Sequence, residues 1–194
     1  ILTDHHEPGT QLPPAAALIN PKLAPEYPDP QLAGVGVAFK LLQGLAAKKP
    51  ELERVLWENI DLVALGTIAD VVPLLGENRV LVKEGLQQMA KGENTGLKAL
   101  ITQTGLAGKK IDAGHVGYIL APRLNAVGRL GDPTLALRLL LDEDPVRARK
   151  LAASLETLNR KRQQIEERVW QEAEKVLDAS GPVDKAVVLA GPWH

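Results

Sequence analysis

Asp4, His5 and His6 follow the short apolar run Ile1-Leu2-Thr3 and put one carboxylate and two imidazoles in a row. Carboxylate and imidazole together can hold a divalent cation, and a carboxylate beside a ligating histidine fixes its tautomer and ring orientation. In an extended segment neighbouring side chains point to opposite faces, so His5 and His6 can face one ion only where the chain turns. The natural division of labour gives one imidazole to a metal and the other to a substrate, with Asp4 orienting an imidazole. A polar strand end accounts for the same three residues equally well. Two of the chain's 4 histidines sit here.

A second carboxylate, Asp70, closes the apolar run Ala64-Leu65-Gly66-Thr67-Ile68-Ala69. An acid among apolar residues must be paired, used as a cap or bound to a metal if it is buried. The block Leu120-Ala121-Pro122-Arg123-Leu124-Asn125-Ala126-Val127-Gly128-Arg129 sets two arginines and an asparagine among apolar residues. Arginine gives bidentate contact to phosphate, and Arg123 could equally pair with an acid such as Asp132. Asp142-Glu143-Asp144 has the outline of a metal-binding Asp-x-Asp, but Pro145 directly after it marks a helix start. Trp170 and Trp193 have the type for base stacking, and packing is the commoner use of tryptophan.

Several elements must position these groups. Seven prolines between residues 7 and 30 rule out helix through most of that stretch and predict an extended surface connection. Helices are predicted over 32–47, with Gly34 and Gly36 permitting a close approach at its entry, and over 50–58. The run 60–69 leads to Asp70. Helix 78–91 should turn Val80, Leu81, Leu86 and Met89 inward and stop at Gly92, and a shorter helix covers 95–104. Pro122 makes 115–130 a kinked helix or two short ones. Asp132-Pro133 and Asp144-Pro145 each read as a cap followed by a first-turn proline. The second opens a helix to about Ala179 with Leu151, Leu155, Leu158, Ile165, Val169 and Val176 at spacings of three, four and seven. Its basic residues alternate with acids, as on a solvated face with i,i+4 pairs. At about 1.5 Å per residue it spans roughly 50 Å, more than a compact domain needs, so it should bridge two domains. Ser180-Gly181-Pro182 should end it, and 186–190 reads as a buried strand of the next domain.

The 194 residues can bury a core, and with 45% hydrophobic but only 3% aromatic residues that core must be aliphatic, which favours packed helices. A formal net charge of -1 supplies no general attraction to polyanions, so a nucleic acid would need a local cluster or a metal. With no cysteine, disulfides and thiolate metal sites are excluded, leaving His and carboxylates as ligands. No run has membrane-spanning length and no signal peptide is evident, so a soluble, cytoplasmic protein without a membrane partner is expected. A chain that opens inside a strand-like run and stops at Trp193-His194 is expected to be a fragment of a longer protein.

Five blocks, Leu2-Thr3-Asp4-His5-His6, Leu18-Ile19-Asn20-Pro21-Lys22, 32–40, 65–74 and 120–130, taken in this order, resemble the DHH phosphoesterase superfamily, and within it the RecJ-type single-stranded-DNA exonucleases. The resemblance covers nearly the whole chain. It implies an α/β fold, predominantly helical in this fragment: the C-terminal part of a DHH catalytic domain over 1–143, an interdomain helix over 144–180, and over 181–194 the start, including the first strand, of a second domain that binds nucleic acid. It implies a hydrolase dependent on Mn2+ or Mg2+ that removes nucleotides from the 5′ end of single-stranded DNA in recombination and repair, with single-strand-binding protein and helicase as cellular partners. By motif position the resemblance makes His5 and Asp70 metal ligands, His6 the catalytic residue that contacts the scissile phosphate with Asp4 as its supporting acid, and Asn125, Arg129 and Arg123 the phosphate-binding set. The family carries further aspartates upstream of Asp-His-His, so this fragment alone is expected to be inactive. Two other readings stand beside it: a DHH phosphodiesterase acting on short oligonucleotides or cyclic dinucleotides, and a metal-free scaffold of a replication complex.

Overall fold

The structure, a computed structural model, describes residues 1–179 and 185–193. The opening segment Leu2–Thr3 (β1) pairs in parallel with Leu18–Ile19 (β2), Leu2 opposite Leu18 and Thr3 opposite Ile19. A parallel pair needs a crossover, and here the proline-rich segment supplies it without helix. β2 was not evident in the sequence, because two residues among prolines and small side chains carry no alternating pattern. Asn20 then caps a short 3-10 turn, Pro21–Leu23, by accepting the Lys22 N–H at 3.0 Å.

Helices build the rest. Gly34–Ala46 (α1), Glu53–Glu58 (α2) and Ile60–Ala69 (α3) match the predicted runs, the second preceded by a 3-10 turn at Pro50–Leu52. α3 is apolar on nearly every side, which suits a helix enclosed by others. Its Ile60 and Val63 join an apolar cluster with Leu32, Val37, Phe39 and Leu56, while its Leu65 and Ile68 join a larger one with Leu97, Leu100, Leu120 and Leu155. α3 therefore runs through the core and delivers Asp70 at its end.

Gly76–Lys91 (α4) packs along α3 and stops at Gly92, whose φ of 68° is the left-handed cap expected there. Its N-terminus is held by Asp29, which accepts the Glu77 N–H at 2.7 Å. Val80 departs from its predicted inward place and is 59% exposed. The buried stripe runs through Asn78, Leu81, Val82, Gly85 and Met89, on which Val80 has no place. Thr95–Gln103 (α5) follows, capped by Asn94.

The proline kink takes a definite form. One turn, Ala113–His115 (α6), is followed by a π turn at Val116–Leu120 and then by Ala121–Leu130 (α7). Pro122 has no N–H to give, so the ladder cannot keep its i→i−4 register, and the Ala121 N–H reaches back to the Val116 carbonyl. Asp132 caps Thr134–Leu141 (α8), accepting the Thr134 N–H at 2.9 Å, and Asp144 caps Pro145–Ala179 (α9) through the Val146 N–H at 2.7 Å. α9 is one continuous helix of 35 residues whose first half packs on α5, α7 and α8.

Two expectations end differently. Residues 186–190 form no strand: among the described residues no neighbouring strand runs beside them to complete a ladder, and Val188 is 95% exposed. The predicted stop at Ser180-Gly181-Pro182, like His194, lies outside the described residues.

Candidate metal centre

The turn that two adjacent histidines require is made by Asp4. Its N–H still closes the β-ladder, bonded to the Ile19 carbonyl at 3.0 Å, while its Oδ1 accepts the N–H of His5 at 2.8 Å and of His6 at 3.3 Å. The chain folds around that carboxylate, and the two imidazoles come to lie side by side with ring centroids 4.4 Å apart. The same Oδ1 meets His6 Nδ1 at 2.7 Å. An ionised carboxylate can only accept, so Nδ1 carries a proton and Nε2 is the ring nitrogen left for other contacts. The hydrogen bond from the His6 ring, then those from the His5 and His6 backbone, lower the Asp4 carboxyl to about 2 and keep it ionised.

His5 turns the other way. Its Nδ1 lies 3.4 Å from Asp70 Oδ2, although the two residues are 65 positions apart in sequence. The opposite edge of the ring passes over Gly34, where a Cβ would stand 3.4 Å from Cδ2. The close approach foreseen at Gly34 is thus made by an imidazole. Asp70 sits at the C-terminal end of α3, where the helix carbonyls already favour a cation. Immediately after it, Val71 adopts φ 60° and is 87% exposed. For a β-branched residue that conformation costs about 1–3 kcal/mol and is found where the surroundings impose it, often at functional sites. Asn78 secures the segment from below, its amide donating to the Gln31 carbonyl at 2.7 Å and the Pro73 carbonyl at 3.1 Å. No sequence signal announced Val71.

The donor set fits a divalent cation. Two atoms sharing an ion at about 2.1 Å each stand roughly 3 Å apart, close to the His5–Asp70 separation. Donor atoms of Asp4, His5 and His6 also lie within 4.8 Å of one another, so His5 stands between two carboxylates.

The other predicted residues divide. Asn125 and Arg129, one turn apart on α7, are exposed, and among the described residues neither side chain has a hydrogen-bonding partner. α7 packs against α3, the helix that ends at Asp70. Arg129 lines an open cavity of about 620 Å³ with Arg162, Glu166 and Trp193. Arg123 instead turns inward: its Nε donates to Glu156 at 2.6 Å and its Nη1 to the Ile119 carbonyl at 2.6 Å, so its guanidinium is committed to the join between α7 and α9. Asp132, the partner first considered for it, is used as a cap. Asp142 is held by Arg147 at 3.1 Å and Asp144 caps α9, so this Asp-x-Asp serves a helix start.

Residues 1–67 match the model of the DHH family, N-terminal domain, with Asp70 just beyond the matched span. The chain belongs to the DHH family, and within it to the RecJ type. It is 42% identical to the single-stranded-DNA-specific exonuclease RecJ of Bacillus subtilis, across 98% of this chain and 24% of that protein, and 43% identical to RecJ of Escherichia coli, across 100% and 36%. Among solved structures it is similar to RecJ of Thermus thermophilus in complex with Mn2+, with a TM-score of 0.76, 42% identity and coverage of 87% of this chain and 25% of that one. The Mg2+ complex of RecJ from that organism matches with a TM-score of 0.70 and 41% identity, over 80% and 24%. The chain therefore spans between a quarter and rather more than a third of these curated relatives.

Proposed function

We propose that this chain contributes to the catalytic domain of a divalent-metal-dependent exonuclease that degrades single-stranded DNA from its 5′ end. The observation that carries the reading is the approach of His5 to Asp70, two groups of metal-binding type brought together from distant parts of the sequence. Exonuclease action on single strands, and the metals themselves, are what the RecJ relatives are described as doing and holding.

In this reading His5 and Asp70 hold an ion, Mn2+ or Mg2+. An imidazole in the set favours Mn2+, because Mg2+ prefers an all-oxygen shell. Bound there, the ion supplies charge stabilisation to a phosphoryl oxygen and an activated water at neutral pH. The chain's own residues do the rest. Asp4 holds the His6 ring through Nδ1–H, and the imidazolium form of His6 donates from Nε2 to the phosphate. Arg129 and Asn125 grip backbone phosphates further along the strand, while Arg123 holds α7 in place for them. A two-ion centre needs more carboxylates than Asp4 and Asp70, so the chain by itself binds metal without turnover. On this reading the protein works in the cytoplasm, in recombination and repair, beside single-strand-binding protein and helicase.

The test is cleavage of strands labelled at the 5′ or the 3′ end by the intact protein with Mn2+. Mononucleotide release from the 5′ end, lost in His5→Ala and Asp70→Asn, is expected. Strand binding without cleavage would favour the scaffold reading, and cleavage restricted to dinucleotides would favour the short-substrate phosphodiesterase.

A further inference from the structure

Asn20 is 7% exposed and places its amide against the backbone of the histidine pair: Nδ2 donates to the His6 carbonyl at 2.9 Å, while Oδ1 accepts the Lys22 N–H at 3.0 Å. The β-ladder ends one residue earlier, with the Asp4 N–H on the Ile19 carbonyl. Beyond it the first strand turns away around the Asp4 carboxylate, and no backbone donor of β2 follows it. The Asn20 side chain takes over where the ladder stops and fastens the far end of the turn.

We infer that Asn20 is a positioning residue for the two imidazoles, holding the His5-His6 turn closed so that His5 keeps its place opposite Asp70 and His6 its place on Asp4. Asp4 grips the turn from its start and Asn20 from its end. The ring of His5 is additionally confined by Gly34, whereas the exposed His6 side chain rests on Asp4 and against the His5 ring. Without the Asn20 donor the His6 carbonyl is free to rotate outward, which carries the ring off the Asp4 carboxylate and loosens the adjacent His5. Groups that orient ligands without touching the ion typically change metal affinity by about 10–100-fold when removed. The inference rests on the reading of this site as a cation centre, so its test carries one readout that needs no metal.

Asn20→Ser keeps an acceptor for the Lys22 N–H but cannot reach the His6 carbonyl, and Asn20→Asp keeps the volume and acceptor while turning an oxygen toward that carbonyl. Asn94→Ser is the matched control, since Asn94 likewise caps a turn through Leu97 N–H and donates to a carbonyl, that of Leu140, in a join between α5 and α8. In the intact protein, Mn2+ titration should show affinity at least about tenfold weaker for both Asn20 variants, with wild-type affinity for Asn94→Ser whatever its thermal midpoint. Nitrogen NMR of the metal-free protein should show His6 leaving its Nδ1–H form for the mixed tautomers of a free histidine in the Asn20 variants only. Unchanged affinity together with an unchanged His6 tautomer would overturn the inference, as would equal loss of affinity in Asn94→Ser. Absence of Mn2+ binding that His5→Ala removes would instead overturn the cation centre, and the tautomer spectra would still decide the role of Asn20.

Discussion

Arg123 and Arg129 are six residues apart, share a residue type, and are put to opposite uses by their surroundings. Burial alone would raise the Glu156 carboxyl, but hydrogen bonds from Arg123 and Arg160 outweigh it and hold it below the ordinary glutamate value of 4.5. Because the folded value is the lower one, the pair's stabilisation is complete above pH 4.5 and is lost as acid protonates Glu156. Arg123→Ala should therefore cost about 1–3 kcal/mol of stability at neutral pH by leaving a half-buried carboxylate short of a donor. Glu156→Gln should flatten the loss of stability below pH 4.5, and denaturant melts across pH measure both. Arg129→Ala should leave those melts unchanged and instead weaken single-strand binding, lowering the salt slope by about 0.7, one phosphate's worth. A stability loss in Arg129→Ala with unchanged DNA affinity would reverse the assignment. At this scale the sequence told which residue types were available, and the approach of His5 to Asp70 was legible from it. Which arginine faced inward was not, since the Arg123–Glu156 contact joins residues 33 apart on separate helices and no local pattern encodes it.

Between elements, glycines set the closest approaches. A Cβ at Gly85 would stand 2.3 Å from the Ile60 carbonyl oxygen and 2.4 Å from the Ala64 Cβ, so α4 lies on α3 only because position 85 has no side chain. On an exposed helix Gly→Ala gains up to about 1 kcal/mol, whereas forcing atoms into a packed join costs about 1–3 kcal/mol and more when the neighbour is backbone. The clash wins. Gly85→Ala should lower the thermal midpoint by several degrees, at roughly 2–4 °C per kcal/mol for a chain of this size, and should weaken Mn2+ binding through the displaced end of α3. A midpoint equal to or above that of the parent would show the helices further apart than the structure has them. Helices with an apolar stripe or with proline or glycine punctuation, α1, α4, α5 and α9, were readable in advance, whereas 60–69 was legible only as an apolar run, since a helix enclosed on nearly every side carries no stripe. Val80 and residues 186–190 were misread because their apolar type says nothing about which neighbour is present. β2 escaped because its partner lies far back in the chain at Leu2–Thr3.

Over the whole molecule the distribution of burial along α9 decides what the helix is for. Ala148, Ala152, Leu155 and Asn159 are buried against the core, and past Asn159 the helix has no fully buried residue although its apolar stripe continues through Ile165 and Val169. Trp170, beside that stripe, is 63% exposed. The pairs Arg160–Glu156 and Arg162–Glu166, at 2.9 and 2.6 Å, help the helix locally, but i,i+4 pairs of this kind contribute only about 0.3–0.5 kcal/mol each. They cannot hold the outer turns against fraying as packing holds the inner ones. We propose that this outer half is the link to a second domain in the intact protein, which buries the remaining stripe. Hydrogen exchange on the chain alone should then show protection near the global limit over 148–159 and steeply falling protection beyond 165, because a segment with little buried apolar surface opens at little free-energy cost. In the intact protein the gradient should vanish. Uniform protection along α9 in the isolated chain would mean that the outer half is stabilised without a second domain, and the linking role would fall with it.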